Sequence, residues 1–210
     1  MPTKVLLIGA SGRTGRALAD LLIDQADFEV TVLVRRPDFT LPGARVVVGD
    51  LNGDFSAAFD GATPVVVYAA GSAESDGPVE EVAIDRDAVI RTTDHALEHH
   101  VQQLVVISAL SAYEPDQAPE PLRHYSHMKR EADDYVEASG IDYTILRPGP
   151  LADRPGIGKI ALTETRIDLA PPVARQDVAW AALEAIKLGV VHKTIGFVGG
   201  RVPIEQALRA

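Results

Sequence analysis

"KVLLIGASGRTGRALADLLIDQ", residues 4–25, decides how this chain is read. Its apolar start, 4–9, has the length and composition of a buried strand. Residues 13–25 then place Leu18, Leu21 and Leu22 on one face of a helix. Between them Gly9, Gly12 and Gly15 form a G-x-x-G-x-x-G pattern. Gly9 allows a tight turn, Gly12 lets the backbone approach a pyrophosphate, and Gly15 lets helix and strand pack closely. The helix start offers free N–H groups to phosphates, and Ser11 and Thr14 can add hydroxyl donors. A plain turn would also use glycine. Its place after the first strand of a strand–helix series makes this one a dinucleotide loop.

The alternation continues to the end of the chain. Strands are predicted at 29–35, 44–50, 64–71, 103–110, 142–149 and 193–200. Helices are predicted at 55–61, 82–101, 124–139, 175–188 and 203–208. The strands are nearly continuous Val, Ile and Leu, as in a parallel sheet covered on both faces. The fold class is therefore α/β, a doubly wound parallel sheet. Residues 1–210 read as a single domain, with a short substrate lid at about 152–174.

Composition narrows the function. A net charge of −10 over 210 residues repels phosphate backbones, so no nucleic-acid partner is expected. The absence of cysteine removes disulfides, thiolate metal sites and cysteine nucleophiles. No apolar run approaches a membrane-spanning length, and the N-terminus lacks a signal-peptide core; a cytoplasmic protein is expected. The 82–101 helix could pair with a twin, so monomer and homodimer both stay open.

The second strand ends "VLVRRP", where a carboxylate would select NAD by its ribose 2′-hydroxyl. Arg35 and Arg36 instead match a 2′-phosphate, with Arg13 approaching from the glycine loop. This favours NADP(H) over NAD(H); the alternative is a pair of surface arginines. Asp50 sits where an adenine amino group could be met, or is an ordinary turn aspartate. Ala70 and Gly71, in "YAAG", are small enough for a ribose or pyrophosphate to lie against the strand end, though they also suit a turn.

These motifs resemble the short-chain dehydrogenase/reductase superfamily, and most of all its compact, NmrA-like and epimerase/dehydratase-like NAD(P)-binding group. The match is carried by "GASGRTGR", "GDL" (49–51), "AAG" (69–71), "VVIS" (105–108), "HYSHMKREAD" (124–133), "SGIDYTILRPGPL" (139–151) and "RQDVAWA" (175–181). The resemblance implies a Rossmann-like sheet with the cofactor across its carboxyl edge. It adds Leu51 to the cofactor-binding residues, places Tyr125 and Lys129 on the catalytic Tyr and Lys, with Lys129 also able to hold the ribose hydroxyls, and sets Pro148 beside the nicotinamide.

In "RHYSHMKRE" Tyr125 and Lys129 stand four apart, one helical turn. Reduction of a carbonyl leaves an alkoxide that needs a proton, and an ammonium beside the phenol is expected to lower its pKa. An i,i+4 Tyr/Lys pair also arises by chance on a polar helix. Ser108 is the candidate to polarise a carbonyl, with Ser111 as substitute, because Ala109 occupies the place where relatives carry a second hydroxyl. His95 and His99 are spaced like a metal pair but lack a third ligand, so no metal site is expected. Three functions follow: an NADPH-dependent reductase of a small carbonyl or related acceptor; a redox-sensing NADP(H)-binding regulatory protein; and a sugar epimerase/dehydratase, for which only 59 residues follow Leu151.

Overall fold

Val5 and Leu7 enter one hydrophobic core while Leu6 and Ile8 enter another, so the first strand, β1 (Thr3–Ile8), is buried on both faces. The next three strands are β2 (Phe28–Val34), β3 (Ala44–Val48) and β4 (Val65–Tyr68), and β5 (Gln103–Ile107) and β6 (Tyr143–Pro148) follow. Short strands β7 (Leu151–Ala152), β8 (Lys159–Leu162) and β9 (Val173–Ala174) precede β10 (Lys193–Gly199) and β11 (Val202–Pro203). The helices are α1 (Arg13–Ile23), α2 (Pro78–Glu80), α3 (Ala88–Glu98), α4 (Glu120–Ala138), α5 (Arg175–Leu188) and α6 (Ile204–Leu208). This is a computed structural model, and it describes residues 1–59, 63–72, 76–164 and 170–209.

Among the described residues nine strands form one sheet in the order β11-β8-β10-β6-β5-β4-β1-β2-β3. The strands from β10 to β3 are parallel; β8 runs antiparallel to both β10 and β11. Helices α1, α5 and α6 cover one face, burying Leu18, Leu22, Val178 and Ile186. Helices α3 and α4 cover the other with Val89, Ala96, Ala132 and Val136. The chain moves outward from β1 to β3, then returns to β4 on the far side of β1. The strand order therefore reverses between β1 and β4, and a ligand crevice opens there at the carboxyl ends.

This bears out the doubly wound, mostly parallel α/β fold, with some differences in detail. The predicted 124–139 helix starts earlier, at Glu120, because Pro121 lies in the first turn, where a missing N–H leaves no bond unmade. The predicted 82–101 helix spans α2, a π-helical stretch Glu81–Asp87 and α3. The 55–61 helix is a 3-10 turn, Ser56–Phe59, and residues 60 and 61 lie outside the described residues. Part of the 152–174 segment is not a free cover, since β8 joins the main sheet; residues 165–169 lie outside the described residues. No described helix is long and apolar enough to cross a membrane.

Candidate active site

Gly9 leaves β1 with φ +95°, a conformation that side chains disfavour. A Cβ on Gly9 would meet the Ala70 backbone nitrogen at 2.5 Å, so this turn lies directly against the end of β4. The Gly12 N–H donates to the Gly9 carbonyl at 3.0 Å. Gly12 then begins α1 with no side-chain cap, which leaves the first-turn N–H groups for a ligand. A Cβ on Gly15 would come within 2.2 Å of the Gly9 carbonyl oxygen. Helix and loop touch here through backbone alone, as the glycine pattern predicts. Ser11 is exposed and Thr14 half-buried at the same edge. Gly15→Ala is therefore expected to destabilise the fold by about 1–3 kcal/mol and to weaken nucleotide binding, although alanine is the better helix former. A thermal melt and a nucleotide titration of the variant would check this; an unchanged melting temperature would count against the close contact.

From Ala70 a row of contacts leads to the predicted proton-transfer pair. Gly71 follows Ala70, and a Cβ on it would lie 3.3 Å from Oδ1 of Asp85. That oxygen stands 3.0 Å from Nζ of Lys129, and both side chains are buried. The ammonium also donates to the Ile107 carbonyl at the end of β5, at 3.4 Å, and lies 5.7 Å from the centroid of the Tyr125 ring. The fold thus joins the glycine loop, the end of β4, Lys129 and Tyr125 along one edge.

The electrostatics differ from the expectation for an isolated Tyr/Lys pair. Burial opposes the Lys129 charge, but Asp85 and Tyr125 outweigh it, so the ammonium holds its proton well above the ordinary lysine range. Burial pushes the Tyr125 phenol up; Lys129 draws it down, and the carboxylates of Asp85, Asp133 and Glu81 push it up again. The net direction is upward. Burial is the largest cause, and the carboxylates offset part of the lowering that Lys129 was expected to supply.

Ser108 directly follows β5, but its buried hydroxyl donates to Oδ2 of Asp133 at 2.7 Å. The same oxygen accepts from Arg147 Nε at 2.8 Å, and Arg147 lies 4.3 Å above the Tyr113 ring centroid. Ser111 is also engaged: the Ser126 hydroxyl donates to it at 2.7 Å. The Ser108 proton is thus committed to an internal partner, whereas Ser111 is engaged as an acceptor. Asp85, Asp133 and Arg147 carry no role in the sequence reading. The available signal was an acidic residue within the buried spacing of the 82–101 helix, and Asp133 at one further turn beyond Tyr125 and Lys129.

The remaining predicted residues are spread along the same carboxyl edge. Arg35 and Arg36 follow β2, exposed and without an ion pair among the described residues. Arg13 pairs with Asp153, whose other oxygen accepts from Arg175 at 2.7 Å, so its guanidinium is occupied across the cleft. Asp50 is exposed and accepts from the Asn52 N–H at 3.0 Å, which is a turn role. The Leu51 carbonyl accepts from Arg91. Pro148 ends β6 beside Phe197 of β10. His95 packs on Phe55 and Phe59, with ring centroids 5.2 and 5.3 Å away. Among the described residues, no group of three His, Asp or Glu side chains is placed to hold a metal. A cleft of about 390 Å³ beside Tyr113, Thr163 and Thr194 contains none of the predicted site residues.

A doubly wound sheet with a glycine loop at its switch point defines a dinucleotide-binding α/β protein. The chain belongs to the NAD(P)H-binding family whose model matches residues 9–188. It is 30% identical over 215 residues to the uncharacterized sugar epimerase YhfK of Bacillus subtilis, covering 98% of this chain and 99% of that protein. A solved structure from Bacillus halodurans, provisionally named an NAD-dependent epimerase/dehydratase, superposes with a TM-score of 0.91 at 31% identity and covers 99% of both chains. Sanguinarine reductase of Eschscholzia californica is 25% identical over 246 residues, covering 94% of this chain and 89% of that one. The expected resemblance to compact NAD(P)-binding oxidoreductases is thereby borne out at the level of the family and its nicotinamide cofactor.

Proposed function

We propose that this protein is an NADPH-dependent reductase of a small carbonyl or related acceptor. The observation that carries this reading is the row of contacts from Gly9 through Ala70, Gly71, Asp85 and Lys129 to Tyr125. It supports the reading because it links the glycine loop to Tyr125, the proposed proton donor. Bound NADPH would supply the hydride. Gly9, Ser11, Gly12, Thr14 and Gly15 hold its pyrophosphate; Ala70 and Gly71 leave room for a ribose; Asp50, Leu51 and Pro148 lie along its path. Tyr125 delivers the proton that the new alkoxide needs, so one hydride and one proton convert the carbonyl to an alcohol. The name of the sanguinarine reductase relative supports a reductive role. Residues around Asp153 cover the cleft as a short lid, held by Arg13 and Arg175.

Arg35 and Arg36 select the 2′-phosphate because their guanidinium groups are exposed and carry no ion pair among the described residues. Alanine at both positions is expected to weaken NADPH binding roughly 10–100-fold, the worth of a charged hydrogen bond or two, and to leave NADH binding unchanged. Titration calorimetry of both cofactors on both proteins tests the reading. Equal affinity of the wild type for NADPH and NADH would remove it.

One observation favours the second reading, a cofactor-sensing regulatory protein without turnover: the Ser108 proton, the first candidate to polarise a carbonyl, is donated inward to Asp133. A screen of aldehydes, quinones and flavins for NADPH oxidation separates the two readings, since the sensor oxidises none of them.

A further inference from the structure

We propose that Asp85 is a cofactor-binding residue: its Oδ1 carboxylate oxygen, beside the Lys129 ammonium, accepts a hydrogen bond from a hydroxyl of the nicotinamide ribose. The inference rests on the NADPH reading above and extends it to a residue that the Tyr/Lys motif does not contain.

Three features point the same way. Asp85 is fully buried, and its two oxygens are treated differently. Oδ2 accepts from both the N–H and the hydroxyl of Ser72, at 3.1 and 2.5 Å. Oδ1 has the Lys129 ammonium at 3.0 Å as its one partner among the described residues. A carboxylate oxygen has two lone pairs, so one ammonium leaves it acceptor capacity that a ligand hydroxyl can use. Its position supplies that use, because Oδ1 borders Gly71, where the absent side chain leaves the end of β4 open to a ligand. The third feature is the backbone. Asp85 is the one buried residue of the π-helical stretch Glu81–Asp87, whose Ile84 carbonyl is pinned by the Tyr68 hydroxyl at 2.6 Å. π-Helical turns are rare and concentrate at functional sites.

A hydroxyl-bearing ligand fits the pair chemically. The ammonium donates to a hydroxyl oxygen and the carboxylate accepts a hydroxyl proton, so adjacent Nζ and Oδ1 can hold a vicinal diol. A phosphate or carboxylate would be repelled by Asp85.

The test uses the full-length protein, NADPH, and two NADPH analogues lacking the 2′- or the 3′-hydroxyl of the nicotinamide ribose. Affinities are read by fluorescence titration, with a thermal melt to confirm folding. Wild type is expected to bind at least one analogue roughly 10–100-fold more weakly than NADPH. Asp85→Asn and Asp85→Ser are expected to bind NADPH more weakly by a similar factor and to lose that discrimination. A purely structural Asp85 would leave the discrimination intact in any folded variant, and that result overturns the proposal. If neither variant folds, the wild-type series decides: analogues bound as tightly as NADPH overturn it, and a tenfold loss supports it. A wild type that binds no NADPH at all removes the reductase reading and this inference together, whereas NADPH binding without discrimination removes this inference alone.

Discussion

Tyr125→Phe is expected to lower kcat for carbonyl reduction by about 10²–10⁴-fold, the usual worth of a positioned proton donor, while NADPH affinity stays at the wild-type value. The argument is chemical and local. The alkoxide formed by hydride transfer must be protonated, and Tyr125 is the proposed donor, its ring centroid 5.7 Å from the Lys129 ammonium. Phenylalanine keeps the ring that packs there and removes only the hydroxyl. The pH dependence sharpens the test. Burial and the surrounding carboxylates push the phenol up from its ordinary value near 10, so it remains protonated through neutral pH. Reduction in the wild type is therefore expected to show no loss assignable to Tyr125 between about pH 6 and 9. A rate that fell with an apparent pKa near 7 would mean that another group supplies the proton. Wild-type turnover by the phenylalanine variant would exclude Tyr125 as the acid. Both measurements need an accepted substrate, which the aldehyde, quinone and flavin screen is chosen to find.

The largest stability effect is expected at Asp133. Replacing it with alanine leaves the Arg147 guanidinium buried without its carboxylate and the Ser108 hydroxyl without its acceptor. Breaking a buried ion pair from one side costs about 3–5 kcal/mol, enough to unfold a marginal variant. Asp133→Asn keeps the shape and an acceptor oxygen for Ser108 and should lose less. The wild-type pair also carries a pH signature. Burial raises the Asp133 carboxyl, and Arg147 and Ser108 only partly offset this. A raised group binds its proton more readily in the folded state. Its contribution is therefore complete below the unfolded carboxyl pKa, and it is lost as pH rises through the higher folded value. Asparagine, which does not titrate there, removes that dependence. Denaturant unfolding of wild type, alanine and asparagine variants between pH 4 and 8 checks both points. Equal stability of wild type and alanine variant would show that Arg147 does not depend on this carboxylate.

The network of Asp133, Arg147 and Ser108 explains why one expectation from the motif order is weakened. Ser108 lies where a carbonyl-polarising hydroxyl was sought, at the end of β5, yet its proton is donated inward to Asp133. The sequence places the serine correctly but contains no mark of its partner, 25 residues away on a different element. Arg13 shows the same limit. Its place in the glycine loop is legible, whereas its pairing with Asp153 depends on a loop 140 residues further on.

Gly9, Gly12 and Gly15 were legible because their requirement is local. A positive φ, a helix start and a backbone contact within a few residues leave a pattern in neighbouring positions. The buried strands were legible for a related reason: a strand covered on both faces needs an unbroken apolar run, and β1, β4 and β5 carry one. The register of Tyr125 and Lys129 needed only the helical period. Sequence alone therefore determined the α/β class, the dinucleotide loop and the candidate pair. Tertiary structure decided the charge around that pair. Asp85 of the π-helical stretch meets Lys129 of α4, Asp133 of α4 meets Arg147 of β6, and burial then makes these interactions strong. Such interactions depend on distance and solvent exclusion in three dimensions, which no spacing along the chain encodes.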